Sequence, residues 1–234
     1  MTASERAKAL PSLAATFGAF TSDRAKLALR TAPRHSIGAE ELWPTAPDST
    51  FGAEVETEAA EVQSSAMLHH GYRTWVFGMA FAQIDGAALD SELFYAGALV
   101  HDVGLEHIDP GRCFTYRSAE AAHSAAARAN LPDARTLDVM DGITMHISPG
   151  LEREDSVLGF YLQAGAMADL AGLRAWELPR DLRVRASQTY PRERIHEVVS
   201  SCWHSEARAV RGGRAHFADK YGAFSKIVRW FPVA

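Results

Sequence analysis

Apolar residues recur at helical spacing along most of the chain, and no stretch alternates apolar and polar residues over several positions. The strongest pattern runs from Met67 to Ile84, where Leu68, Tyr72, Trp75, Val76, Met79 and Phe81 cover much of a helix surface. A helix apolar on so many sides belongs at the centre of a bundle. Asp85-Gly86 ends it, and before it Ser49 or Thr50 caps a helix running through Ser65. Asp90 or Ser91 opens the next helix, which reaches His101, and Gly104 ends it or bends the backbone beyond it. Further helices are predicted from Ser118 to about residue 130, from Ala134 to Ile147 up to the stop Ser148-Pro149-Gly150, and from Asp155 or Ser156 to Leu170 before Gly172. Pro191 suits the first turn of a helix that continues to about Val210, where Arg211-Gly212-Gly213 breaks it. Residues 178–190 read as irregular.

The ends of the chain are less regular. Ala7–Phe20 and Asp23–Leu29 predict two short helices, and Pro33, Pro44 and Pro47 punctuate a loop around Trp43. Little contact with the core is expected of this part. The C-terminal segment closes on Trp230-Phe231-Pro232. The expectation is an all-α fold: one helical bundle over residues 50–210, an N-terminal extension over 1–49 and a C-terminal segment over 211–234.

Composition narrows the class. The 234 residues suffice for one sizeable core, and 47% hydrophobic with 23% charged residues is ordinary for a soluble domain. A net charge of −5 argues against a nucleic-acid partner. Two cysteines, Cys113 and Cys202, make no disulfide framework. The start lacks the layout of a signal peptide, and no apolar run approaches the ~18 residues of a membrane span. A reducing, cytoplasmic setting without membrane contact is the expectation.

The candidate chemistry lies in His70, His101-Asp102 and Asp169. Each falls in, or at the end of, a segment with helical periodicity. A lone histidine on an apolar helix is usually a hydrogen-bonded core residue, and a lone aspartate near a helix end is usually a cap. Here, though, His101-Asp102 directly follows Leu99-Val100, and Asp169 follows Ala164-Gly165-Ala166-Met167-Ala168. Ionisable groups are rarely buried in such surroundings unless paired or bound to a metal. A mixed imidazole and carboxylate set suits zinc, manganese, iron or cobalt better than calcium.

The ordered pattern His70-Gly-Tyr-Arg73, Leu93-Phe-Tyr-Ala-Gly-Ala-Leu-Val-His101-Asp102-Val-Gly104, Ile143-Thr-Met-His146, Gly165-Ala-Met-Ala-Asp169 and Tyr190-Pro191-Arg192 resembles the HD-domain superfamily of metal-dependent hydrolases. Within it, the pattern is most similar to the cyanamide hydratase-like branch. The resemblance covers about residues 60–205. It departs at Phe114-Thr115, where that branch has Phe-Glu, and the segment after about 205 has no counterpart.

The resemblance implies His70, His101, Asp102 and Asp169 as metal ligands, with zinc the first expectation and iron or manganese compatible. His69 is the rival of His70. It further implies a metal-activated water attacking a small molecule with a nitrile-like or C–N centre. Phosphate-ester hydrolysis is the alternative, with Arg73, Arg112 and Arg117 as the basic side chains at hand; a di-iron oxygenase is a third reading. Arg73 shares a helix face with His70. It reads as a catalytic, substrate-binding group, as the partner of a ligand carboxylate, or as the partner of Asp102 or Glu92 in a structural ion pair. His146 reads either as a proton donor and substrate partner or as a helix-end residue favoured by the dipole. Asp102 joins His146 and Arg73 in the candidate catalytic set. His123 is the candidate for a second metal, and Glu106 and His107 for proton transfer or an ordinary solvated loop. His196, His204 and His216 read as structural or surface residues. A homodimer joined through the terminal extensions is left open.

Overall fold

A computed structural model describes residues 1–229, and among these the fold is all-α. The helices are α1 (Ala3–Ala28), α2 (Ala39–Leu42), α3 (Thr50–Val62), α4 (Ser65–Ile84), α5 (Ser91–Val100), α6 (Val103–Glu106), α7 (Phe114–Arg128), α8 (Asp133–Met145), α9 (Val157–Ala171), α10 (Arg180–Thr189), α11 (Ile195–Ala209), α12 (Arg214–Gly222) and α13 (Phe224–Arg229). Trp230-Phe231-Pro232 lies outside the described residues. No described helix is long and apolar enough to cross a membrane.

Local chemistry sets the helix starts. Ser49 accepts from the Gly52 N–H, Asp90 from those of Glu92 and Leu93, and Ser156 from that of Gly159. Each satisfies donors that a first turn leaves without partners. The end of α9 is fixed by Gly172 at φ 69°, a left-handed cap that glycine adopts without strain.

Helix α4 is the bundle's axis and is buried around most of its circumference. It packs most extensively on α9, with α5 on another side. The α4–α9 crossing is close because Gly165 has no side chain. A Cβ there would lie 2.3 Å from the Thr74 carbonyl oxygen of α4. That closeness brings His70 and Arg73 on α4 against Asp169 on α9.

The apolar interior has two parts. The larger is built from α3–α5 and α7–α10, with Leu42 of α2. The smaller joins Met67, Leu105, Phe114 and Leu170 to Ile195, Val199 and Trp203 of α11 and Val228 of α13. The C-terminal helices thus cover one end of the bundle.

The structure corrects several sequence expectations. The N-terminal region is one helix rather than two, running through Pro11, because Thr21-Ser22 supplies no breaker. It is also tied down. Asp23 is buried and accepts from the Arg174 N–H at 2.9 Å, while Lys26 pairs with Asp23 and lies over the Trp176 ring. Residues 180–189 are helical, anchored by buried Leu182 and Ala186 four positions apart; the polar face around them hid the pattern. Helix α7 starts at Phe114, four residues early, where Glu206 accepts the Phe114 N–H at 2.9 Å. Helix α11 starts at Ile195 rather than at Pro191; the Tyr190 and Pro191 carbonyls before it accept from the buried Arg73.

Candidate metal centre

Four helix segments bring one side chain each to a common point. His70 lies in α4, His101 caps the end of α5, Asp102 starts α6, and His146 caps the end of α8. All four are nearly inaccessible. Nε2 of His101 lies 3.4 Å from Oδ2 of Asp102, and Nε2 of His70 lies 3.7 Å from the same oxygen. Nε2 of His146 approaches the other oxygen, Oδ1, at 3.6 Å. These separations are too long for hydrogen bonds. They match donors sharing one ion, since two ligands each about 2.1 Å from a tetrahedral ion lie about 3.4 Å apart.

The outer nitrogens of the histidines are all engaged. Nδ1 of His101 donates to the Ala98 carbonyl at 2.8 Å and Nδ1 of His146 to that of Ile143 at 2.6 Å. A carbonyl only accepts, so both rings carry hydrogen on Nδ1 and turn a lone pair inward at Nε2. Nδ1 of His70 faces Oδ2 of Asp169 at 2.7 Å, which sets the same orientation. Three inward atoms, Nε2 of His70, Nε2 of His101 and Oδ1 of Asp102, are buried without any hydrogen-bond partner. Buried polar atoms are rarely left so. One ligand atom each of His70, His101 and Asp102 lies within 4.8 Å of the others, so this set could hold a metal ion.

Electrostatics suits the same role. Burial pushes His101 down to about 4, which keeps the imidazole neutral and able to donate its lone pair. Burial opposes ionisation of Asp102, but His101, His146 and His70 outweigh it and bring the carboxyl down to about 2.

Asp169 stands one step behind this group. Its Oδ1 receives Nε of Arg73 at 2.8 Å and lies 2.8 Å from a terminal nitrogen of Arg192; its Oδ2 receives Arg73 at 2.9 Å and faces His70. Burial again works against the charge, and Arg73, Arg192 and His70 hold the carboxyl well below the usual carboxylate range. In the structure Asp169 therefore orients His70 rather than joining the convergent atoms.

Arg73 is likewise not placed to meet a substrate. It is fully buried, spends two donors on Asp169, and gives its remaining terminal nitrogen to the carbonyls of Tyr190 and Pro191 at 2.8 and 3.0 Å. Of the readings of this residue, pairing with a carboxylate of the candidate ligand set is the one observed, and the partner is Asp169. Glu92 pairs with Arg135 instead.

The other candidates are dispersed. His123 is exposed on α7 and is not part of the one group of candidate ligands found among the described residues. His69 lies 3.1 Å from Glu193, against the Tyr190 ring. His107 is exposed and bonds the Val62 carbonyl, while Glu106 accepts the Ser64 N–H; the two clamp the α3–α4 junction. His196 and His216 bond the carbonyls of Val228 and Ala207, and His204 lies 3.5 Å from Asp219.

Two further groups matter. Arg192 lies in the Tyr190-Pro191-Arg192 element, to which the resemblance attaches no role. Glu206 is fully buried, holds the Phe114 N–H and pairs with Arg117 at 2.6 Å. Nothing in the local sequence of α11 marks it. Phe114 in turn packs edge-on against His146, and Trp203 against Phe114. Cys202, half-buried on the same helix, has its thiol pushed up to about 11 by burial and by the Glu106 and Asp102 carboxylates. Helix α11 thus roofs the centre. The chain matches no family model and no curated protein, so its likeness to an HD-type fold stands on the all-α bundle and the buried His-His-Asp group.

Proposed function

We propose that this chain is a metal-dependent hydrolase or hydratase acting on a small, uncharged molecule with a nitrile-like or C–N centre, as in the cyanamide hydratase-like branch it resembles. The observation that carries the reading is the convergence of unpartnered, buried donor atoms on His70, His101 and Asp102. Two imidazoles and a carboxylate fit zinc. A divalent ion held there would lower the pKa of water toward neutrality and polarise the substrate. The protein's own part is orientation and proton handling. Asp169 and the Ala98 carbonyl fix the rings of His70 and His101. His146, with Nδ1–H committed to Ile143, offers the Nε2 lone pair to take the proton that the attacking water gives up and to pass it on to the substrate nitrogen as oxygen adds to carbon. The roof of Phe114 and Trp203 keeps bulk water from the reacting atoms.

Among the described residues the cations near the centre, Arg192 on Asp169 included, are committed to protein partners, which favours an uncharged substrate over a phosphate ester. Arg73 is saturated by Asp169 and backbone carbonyls. Arg117 is committed to Glu206 and the Gly104 carbonyl, and Arg112 pairs with Glu120 at the surface. The test combines metal analysis with a paired assay. One zinc per chain, loss of metal in Asp102→Ala, and turnover of cyanamide but not of nucleoside monophosphates are expected. Two irons per chain, or turnover of the monophosphates alone, would overturn the proposal.

A further inference from the structure

A second concavity lies on the far side of the His146 segment. It is a cleft of about 990 Å³ between α1, the start of α7, the turn after α8 and the α11–α12 connection. That volume is of the size that takes small-molecule ligands. Its walls gather Lys8, Arg112, Arg211 and Arg214, with Glu5 as the acid among them, although the chain as a whole carries a charge of −5. Glu5 is engaged by the Thr2 N–H at its own helix start. Arg112 is paired with Glu120 in an exposed contact of the kind that exchanges readily with solvent. Lys8 and Arg211 are exposed and have no ion pair or hydrogen bond among the described residues. Like charges collected around one concavity repel, and Glu5 is the one acid on its walls against four cationic side chains.

We propose that this cleft binds a small polyanion, a molecule with clustered phosphate or carboxylate groups, at a site separate from the metal centre. Guanidinium forks and an ammonium ion are the side chains suited to such oxygens. A concave site on an acidic protein favours a small ligand over a nucleic acid or a membrane. The cleft is also joined to the centre. Arg214 on its wall donates to the Ser148 hydroxyl at 2.8 Å and to the Thr144 carbonyl, and these residues bracket His146. Gln163 holds the same segment through the His146 and Ser148 carbonyls. An anion that draws Arg214 toward itself loosens one of the two holds on the backbone that positions His146.

The experiment is calorimetric titration of the full, metal-containing chain with fructose 1,6-bisphosphate and, in parallel, tricarballylate, two probes that separate phosphate from carboxylate recognition. Saturable binding of at least one probe is expected, weakened by about tenfold or more in Lys8→Glu/Arg211→Glu as charge-assisted contacts are lost. If that variant fails to fold, Lys8→Gln/Arg211→Gln serves in its place. No saturable binding of either probe, or undiminished binding in the variant, overturns the site. The link to the centre predicts that the probe shifts the ring resonances of His146 with the same saturation curve. Unmoved His146 resonances at saturation overturn the link.

Discussion

Replacing Arg73 with lysine isolates the role assigned to the arginine. The charge stays, but the planar fork goes. Arg73 makes four bonds of 2.8–3.0 Å, two to Asp169 and one each to the Tyr190 and Pro191 carbonyls, and all lie in the buried interior. A single ammonium nitrogen cannot span a carboxylate and two carbonyls on the other side. Two or three of these bonds are lost, each worth about 1.5–3 kcal/mol where a charged group is involved. Asp169 keeps Arg192 and His70, so the total stays near the low end, about 3–5 kcal/mol, comparable with breaking a buried ion pair. For a chain of this size that lowers Tm by roughly 6–20 °C. Urea unfolding of Arg73→Lys should show a lower midpoint with an unchanged m-value. Metal affinity should fall, by up to about 10- to 100-fold, because the carboxylate that orients His70 loses the arginine fork that fixes its own position. A loss below about 1 kcal/mol, or a raised KM at unchanged stability, would refute this account and put Arg73 in contact with substrate.

Other consequences are equally direct. His146→Gln should keep its metal while losing about 10²- to 10⁴-fold in activity on the proposed proton-transfer role; metal content that falls together with activity would make His146 a ligand instead. Gly165→Ala should cost about 1–3 kcal/mol in urea unfolding through the clash with Thr74, despite the better helix propensity of alanine; a neutral result would mean that α4 and α9 separate easily. Glu206→Ala should cost about 3–5 kcal/mol, because it strands Arg117 and the Phe114 N–H. A stability loss under about 1 kcal/mol by the same assay would contradict that. Iodoacetamide should modify Cys202 at a rate that keeps climbing with pH toward about 11, since only the thiolate reacts. A plateau near neutrality would place the thiol away from Asp102 and Glu106.

The sequence made the bundle legible wherever helices are amphipathic and capped. The limits of α3, α4, α5, α8 and α9 were readable within a few residues because Ser49, Asp90, Ser156 and Gly172 are local signals. Helix α10 was not, because its inward residues are only Leu182 and Ala186 amid arginines and polar groups. The α7 start depends on Glu206, 92 positions away, a tertiary contact that no local pattern carries. In the site, His70, His101 and Asp102 were identifiable because ionisable groups sat in apolar helix ends. The split between Asp102 and Asp169 was not. Both aspartates follow apolar runs, and only the chain path that brings Arg192 beside Arg73 decides which one faces inward free.

That split has a consequence for the chemistry proposed. The buried site holds two ionised carboxylates and two guanidinium groups, and its histidine His101 is neutral, so the fixed charges of Asp169, Arg73, Arg192 and Asp102 nearly cancel. Asp169 is already compensated by its arginines, which leaves Asp102 as the carboxylate able to offset a divalent ion. An ion that keeps most of its charge is the stronger Lewis acid and the better activator of water. A second inward carboxylate would bind the ion more tightly and blunt it. The arginines behind His70 therefore do more than hold the fold. By occupying Asp169 they would leave an ion held at the centre electron-poor, which suits the proposed addition of water to an uncharged carbon.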